Sequence, residues 1–588
     1  MKVLFFSPHS IPWKHAFPEA IVADSLHNAG CEISYFTCGG ALGDYCIPKI
    51  SKITSDVRNR KLKKACKAIC SECQSVDKYI RKTFNLGGAT IQSALSQDCK
   101  DEVDRIISNL DIRDAFQLKY RGISIGKIAF YQIILRHKLI KLVVSPDLKD
   151  RYLSELRDTY YSAYALKNII ESKKIDAIVL YNSMYSVNKI VAEVARYHGI
   201  DTYSIHAGSN LSERLQSLII SKDDAYSFYS NLIQNWPKFS GCNHSPSEYR
   251  KVTEHFKELL NAKSIFTYST KKSLVTKSIR EFFTIPDRSK ILVATMASYD
   301  EEVAAEFIGA KKIFDDEIFD TQIDWIKALI NYAEKKQDIF LIIRPHPREF
   351  TNKREKTTSE HARQILELAA SKLPPNVSFN LPEDGISIYD FIGEADVFLN
   401  SWSNVGKEIA IFGVPVVIYS KNNLYYHPDL NYIGSNKIDY FKKIEEAIAN
   451  GWSFDYVMKV FKWYVYEQQT ALISLHSVCN LKEANCKSLI TVAFEKFLKI
   501  LDPRLLYFFN VRFFRKNYFD GSVIRELIES RRNTLLDFSK ATDNQKEYNE
   551  IHSLRIEFLN ILKMMYPKKT ILQKSRIYNN FISSFTVN

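Results

Sequence analysis

The most chemically loaded stretch of the sequence is Arg344-Pro345-His346-Pro347-Arg348, which comes directly after the apolar run IFLII and so leaves the end of a buried strand. Pro345 and Pro347 remove two backbone donors and fix φ, so the side chains of Arg344, His346 and Arg348 are held in place. A rigid cluster of donors suits a phosphate: the Arg fork meets two oxygens at once, and His adds a donor that can also carry a proton. Read as a surface turn, the same stretch carries its charge incidentally. A second turn, Asn400-Ser401-Trp402-Ser403-Asn404, joins the apolar DVFLN to NVGKEIAIFG. Ser401, Ser403 and Asn404 are helix-capping types, which alone would explain them. Hydroxyls and free N–H groups at a helix start also make an anion site. Glu408, one turn in, suits a pair of adjacent ribose hydroxyls. Asp300 and Glu301 come after the run ILVAT. In the first part of the chain, His9, His15 and Glu19 come after KVLFFSP, and His206, Ser209 and Asn210 lie in and just after YSIHAG. Glu19 also stands where a carboxylate favours a helix start.

Strands must present these loops. KVLFFSP, a helix from Ala20 closed at Gly30, and CEISYFTC make a strand–loop–helix–strand unit, the opening of a doubly wound α/β domain. Residues of about 50–165 read as a charged, mainly helical insertion. The α/β pattern returns with IDAIVLYNS, a helix over 186–199 and IDTYSIHAG; a loop runs from Pro237 to Pro246, and a helical connection reaches about Phe283. A second unit comprises ILVAT, a helix over 321–336, IFLIIRP, VSFN, a helix over 386–395, DVFLN, a helix over 404–413 and VPVVIYS. Near-continuous apolar strands alternating with helices signal a parallel sheet covered on both faces. The expected organisation is a first domain over 1–283, a second over 284–460 and a helical appendage over 461–588. Ligands of such sheets sit at the carboxyl ends of the strands, where every candidate above is placed.

At 588 residues the chain exceeds a single core, and 46% hydrophobic with 25% charged residues excludes wholesale disorder. The apolar runs fall short of the ~20 residues of a membrane span, and the N-terminus reads as a strand rather than a secretory leader, so a cytoplasmic location is expected. The net charge is +14, with one basic run over Lys52, Arg58, Arg60, Lys61, Lys63, Lys64 and Lys67, and others at Arg512, Arg515, Lys516, Arg531 and Arg532 in a Phe/Tyr-rich tail. Solvated helix faces account for half of this reading; peripheral contact with anionic inner-membrane lipid or an anionic acceptor accounts for the rest. No nucleic-acid motif accompanies the charge. Six of ten cysteines crowd the N-terminal stretch. Cys70-Ser-Glu-Cys73 has metal-ligand spacing that Cys46 and Cys66 would complete as a structural zinc site, while Cys66 and Cys70, four apart, equally suit helix packing, the favoured reading.

The segment ADVFLNSWSNVGKEIAIFGVPVVIY resembles the donor half of GT-B glycosyltransferases, where a Ser-rich turn and a Glu-bearing helix precede G-x-P-V-V. The RPHP loop resembles the His-Pro motif of capsule-type Kdo transferases, some bacterial sialyltransferases and the polyglycerol-phosphate polymerases. HAFPEAIVADSLHNAGCEISYFTCGG and YRGISIGKIAFY are similar to proteins of surface-carbohydrate gene clusters. The resemblance covers both α/β units and departs at Lys407, where a small or apolar residue is usual. It implies a GT-B fold, two Rossmann-like domains facing a cleft, with the nucleotide-sugar donor held by Arg344, His346, Arg348, Ser401, Ser403, Asn404 and Glu408. It implies acceptor contacts from His9, His206, Ser209 and Asn210, and sugar transfer onto a capsule polysaccharide, lipopolysaccharide O-antigen or glycolipid. Such transfer needs a base or a nucleophile, for which Glu19, His15, Asp300 and Glu301 are candidates. Fixed cations and helix-end amides would stabilise the leaving phosphate without a metal cofactor. Two rivals share these loops: a CDP-glycerol-type phosphotransferase and a non-catalytic sugar-nucleotide-binding subunit of an export complex. The signals resemble those of cytidine-nucleotide users, CMP-Kdo foremost.

Overall fold

The computed structural model describes the chain except residues 12, 44, 53–59, 215, 263–266, 269, 273–277, 313, 315–316, 353–355, 477, 479–487, 502–504, 506–519, 540–549 and 586–588. Arg58, Arg512, Arg515 and Lys516 of the basic runs lie outside the described residues. Two six-stranded sheets organise the rest. The first contains β1 (Lys2–Phe6), β2 (Glu32–Phe36), β3 (Ala177–Tyr181), β4 (Asp201–Ala207) and β5 (Ser217–Lys222). The second contains β6 (Lys290–Thr295), β7 (Ile339–Arg344), β8 (Val377–Phe379), β9 (Val397–Asn400), β10 (Val416–Ile418) and β11 (Tyr432–Ile433). A last strand, β12 (Ile473–Ser474), returns to the first sheet, whose order is β12-β5-β4-β3-β1-β2; the second runs β11-β10-β9-β6-β7-β8.

Every pairing in the second sheet is parallel. Its inner strands are buried on both faces, which explains why they read as unbroken apolar runs. The two sheets with their flanking helices make an α/β architecture, the second sheet wholly parallel and the first parallel except at β5 and β12.

Several expectations change in detail. The first helix begins at Trp13 rather than Ala20 and accommodates Pro18. Pro237 lies in the last turn of the helix Ala225–Phe239, not in a loop. The helix expected over 386–395 is a single 3-10 turn, Ile388–Asp390, opened by a capping box in which the Asp390 carboxylate accepts from the Ser387 N–H, and Gly393, a poor helix former, follows. The helix expected over 404–413 is shorter, Val405–Ala410. β5 and β12, both antiparallel to their neighbours, and the two-residue β11 were not anticipated.

The connection between the sheets belongs to the core of the second: Phe228, Leu232, Trp236, Tyr249, Val252 and Phe256 share one apolar cluster with β6, β7, β9 and β10. The helix Phe454–Gln469 then carries the chain back. Three residues separate it from β12, and the middle one, Ala471, lies in the left-handed region at φ +59°. The tail grips both domains. Thr534 bridges β5 at Ser221, and Glu550 Oε1 accepts from the Tyr249 hydroxyl at 2.6 Å.

The helical insertion does more than cover the first sheet. Its helix Ile125–His137 packs against the helix Asp300–Phe307 of the second domain, with Phe307 edge-on to Phe116 at 4.9 Å. Just beyond its end, Lys138 is buried and donates to the carbonyls of Arg348, Phe350 (3.2 Å) and Thr357 (2.6 Å). Lys138→Met keeps the apolar stem but leaves three carbonyls without their donor. Urea denaturation should show a loss of about 1–3 kcal/mol; an unchanged midpoint would mean that the ammonium contributes nothing to the domain contact.

Candidate functional site

The candidate loops of the second domain meet because of strand register. Thr295, the last residue of β6, is paired on one side with Arg344 of β7 and on the other with Asn400 of β9. Hydrogen bonds then lock the three exits together. The Met296 N–H donates to the Arg344 carbonyl at 3.0 Å, the Ser401 N–H to the Thr295 carbonyl at 3.1 Å, and the Thr295 hydroxyl to Asn400 Oδ1 at 2.9 Å. Asn400 in turn donates to the Ser403 carbonyl at 2.8 Å, setting the shape of the Ser turn.

The cationic residues have distinct environments. Arg344 is buried and donates to Asn380 Oδ1 and to the Ile386 carbonyl (3.0 Å); burial lowers it to about 10. Its fork therefore holds the neighbouring turn. Arg348 reaches Asp300 (2.9 Å), Glu301 (2.6 Å) and the Tyr268 hydroxyl (3.1 Å). Burial opposes its charge, but Glu301 and Asp300 outweigh it and raise Arg348 above its ordinary value. Asp300 is itself raised by burial, against the pull of Arg348. Asp300 and Glu301, expected in catalysis, are thus engaged in an ion-pair cluster with Arg348. His346 stands differently. Its Nδ1 accepts from the Arg348 N–H at 3.2 Å, which fixes the ring against the loop, and Tyr268 lies edge-on to it at 5.7 Å.

In the Ser turn, Ser401 is fully buried, Ser403 Oγ accepts from the Val405 N–H at 3.4 Å, and Asn404 is exposed at the helix start without a side-chain capping bond. Glu408 accepts from the Tyr389 hydroxyl at 2.8 Å, and burial raises its carboxyl. Lys407, where the sequence departs from the family pattern, is buried with Glu467 at 2.5 Å, so it ties this helix to Phe454–Gln469.

In the first domain, His15, Glu19 and His206 gather around Tyr181, the end of β3. Tyr181 is sandwiched, with the His15 ring stacked at 4.2 Å and that of His206 at 5.5 Å. Glu19 is buried; its Oε2 accepts from the Ser7 hydroxyl at 2.6 Å, and its Oε1 has no hydrogen-bond partner of good geometry. Burial raises its carboxyl to about 8, against the Ser7 hydroxyl and the Tyr181 backbone. Burial, then the charge of Arg214, lowers His206 to about 4. Ser209 Oγ is buried without a partner, whereas Asn210 is committed to the Lys251 carbonyl and the Gln468 side chain, both at 3.1 Å.

Aromatic residues connect the halves. Burial, with the neighbouring charges of Tyr226 and Glu301, raises Tyr131 of the insertion well above its usual value; Tyr185 and Arg348 also act on it. Tyr185 also acts on Tyr181. Tyr131, Tyr181, Tyr185 and Arg214 were missed in the sequence because tyrosines on apolar faces read as core. His9 lines a separate pocket with Cys38, Cys46, Cys70 and Cys73, and burial, then His15, lowers it to about 3. The proposed zinc ligands Cys46, Cys66, Cys70 and Cys73 do not form such a site: among the described residues no three His, Cys, Asp or Glu converge on a metal position. Cys66 is a buried packing residue, and burial raises the Cys46 thiol, which keeps it neutral.

The class defined by fold and geometry is a two-sheet α/β protein with the His346 loop and the Ser turn at the carboxyl edge of one sheet and His15, Glu19 and His206 around the end of β3 in the other. Solved structures that resemble it include Thermosulfurimonas dismutans KpsC, a beta Kdo 2,4 transferase (15% identity, 49% of this chain, 78% of that chain, TM-score 0.31). The beta Kdo 2,7 transferase of the same KpsC (13%, 57% and 89%, TM-score 0.29) also resembles it. So does a UDP-GlcNAc 2-epimerase from Neisseria meningitidis bound to UDP-GlcNAc (12%, 79% and 97%, TM-score 0.26). No protein-family profile and no curated protein matches the sequence.

Gly406 lets the Ser-turn helix sit this deep. A Cβ there would lie 2.1 Å from the Tyr426 hydroxyl and 2.7 Å from Asn400 Nδ2, both held in a buried network. Gly406→Ala should therefore cost about 1–3 kcal/mol by overpacking, measured by chemical denaturation. A wild-type midpoint would show that the network yields freely.

Proposed function

We propose that this chain is a glycosyltransferase that moves a sugar from a cytidine-nucleotide donor, of the CMP-Kdo type, to a growing bacterial surface polysaccharide or glycolipid. The observation that supports it best is the convergence of the β6, β7 and β9 exits. The His346 loop and the Ser401–Asn404 turn leave the same carboxyl edge of an all-parallel sheet, on either side of β6. Such an edge is where α/β sheets take nucleotides. His346, Ser403 and the amides of the turn would receive the phosphate, and Glu408 the ribose. Arg348 and Arg344 would shape the loop from behind.

The acceptor would enter beside Tyr181, with the Ser209 hydroxyl available to it. Glu19 is the group suited to take the acceptor proton. A carboxyl at about 8 is a stronger base once ionised than an ordinary carboxylate, and its low-polarity surroundings match a proton transfer near neutral pH. As the acceptor oxygen loses its proton to Glu19 it forms its bond to the anomeric carbon of the sugar, and the bond from that carbon to the phosphate oxygen breaks. The departing phosphate keeps that electron pair, against the donors of the second domain.

A cytidine-nucleotide site predicts that CMP or CDP raises the melting temperature more than UDP or GDP at equal concentration. The gain should vanish in His346→Ala and Ser403→Ala, since a charge-assisted phosphate contact contributes about 1.5–3 kcal/mol. Stabilisation by UDP alone would overturn the donor. Product mass separates sugar transfer from transfer of glycerol phosphate, and absence of any donor turnover would leave a binding subunit.

The Glu19 carboxyl gives a pH signature. As a base it must be ionised, so the rate should climb as pH rises through about 8, and Glu19→Gln should lose that limb with most of kcat. Stability runs the other way. Because the folded value is raised from 4.5 to about 8, the protonated group stabilises the fold fully below 4.5 and progressively less up to about 8. Wild type should therefore lose stability relative to Glu19→Gln across that window; parallel stability curves would place Glu19 in an ordinary, wet environment.

A further inference from the structure

The helix Leu489–Leu501 is built the wrong way round for a globular protein. Its apolar side chains face solvent: Leu489 is 88%, Ile490 82% and Ile500 83% exposed, and Phe494, Phe497 and Leu501 are exposed too. At 100° per residue these six, with Ala493, fall within an arc of about 140°. The opposite side, carrying Val492, Glu495 and Leu498, is the partly buried one. Exposed contiguous apolar strips of this kind mark contact surfaces rather than ordinary surface.

We propose that this helix docks the protein on an anionic lipid surface, lying flat in the headgroup layer. Its thirteen residues give a length of about 20 Å, suited to an interfacial position. No helix among the described residues is long and apolar enough to cross a membrane. Charge selects the occupant. The chain carries +14, and Lys496, exposed at the margin of the apolar arc, is placed to keep its ammonium at the headgroup level while its stem lies along the strip. Each cation near such a surface adds to the attraction. A second copy of the chain fits less well: two bodies of +14 repel, and a strip about 20 Å long and one helix (~10 Å) wide covers roughly 200 Å², well below the ~800 Å² per partner of a stable dimer. The proposal is independent of the chemistry assigned to the sheet edges.

The test is co-sedimentation of the full chain with vesicles of phosphatidylglycerol and phosphatidylethanolamine, and with vesicles of phosphatidylcholine alone. Wild type should bind the anionic vesicles, more weakly as salt rises, and bind phosphatidylcholine poorly. Phe497→Glu combined with Ile500→Glu should lower the bound fraction roughly tenfold or more with an unchanged melting temperature, and Lys496→Glu should weaken binding to the anionic vesicles only. Unaltered vesicle binding by the double variant would overturn the proposal, as would failure of wild type to bind anionic vesicles. A melting temperature lowered in the double variant would show that the face packs on the protein. A concentration-dependent dimer abolished by the double variant, without lipid binding, would assign the strip to self-association.

Discussion

The guanidinium of Arg348 is where four segments of the chain meet. It pairs with Asp300 and Glu301 at the start of one helix and takes the Tyr268 hydroxyl from the inter-domain connection. Its own carbonyl accepts from Lys138 of the insertion. Taking those charges from water costs several kcal/mol per ion, which the geometry must offset. It does so by giving each carboxylate a fixed donor: Asp300 receives two guanidinium N–H groups and the Ser298 hydroxyl. Removing any single partner would strand the others, so the cluster acts as one unit. The position of His346 depends on it, because the imidazole is oriented by the Arg348 N–H.

This arrangement divides labour among charged residues that look alike in sequence. Carboxylates bound to a buried arginine have their oxygens occupied, so they set shape. Glu19, with one hydroxyl donor and no cation beside it, has its proton retained by burial and can respond to what enters. Two groups of one type with opposed environments are the usual way an α/β cleft separates scaffold from chemistry. The Lys407–Glu467 pair belongs with the scaffold, since it anchors the Ser-turn helix. Its influence reaches nearby His255, which burial first, and then the Lys407 charge, lowers to about 3.

Much of this was legible in the sequence. The strands β1 to β4 and β6 to β10 are evident from hydropathy, because strands buried on both faces must be apolar throughout, and the candidate loops are the turns at their carboxyl ends. The elements that escaped did so for physical reasons. β5 runs antiparallel to β4 after a connection over 208–216, outside the βαβ rhythm, while β11 and β12 are two residues long and exist only through their partners. The segment 386–395 carries a helical hydropathy pattern yet forms only a 3-10 turn at 388–390, and Gly393 within it is a poor helix former. Which cation meets which carboxylate could not be read, since Arg348 and Asp300 are 48 residues apart and their pairing is a product of register. The cysteine spacing left zinc binding and helix packing both open, with packing favoured, because helical periodicity and C-x-x-C spacing overlap at Cys66, Cys70 and Cys73.

The return of the chain through Phe454–Gln469 has a mechanical meaning. Sixteen helical residues form a stiff rod of about 24 Å. Near its carboxyl end the Lys407–Glu467 pair fastens it to the Ser-turn helix, and at its far end the Tyr456 hydroxyl accepts from Asn431 beside β11. Three residues beyond the rod the chain enters the first sheet, and Ala471 among them holds a strained left-handed conformation. A rod pinned near both ends transmits displacement instead of absorbing it, so a change of backbone angle at this three-residue joint would be carried to the Ser-turn helix and to the neighbourhood of β11 together.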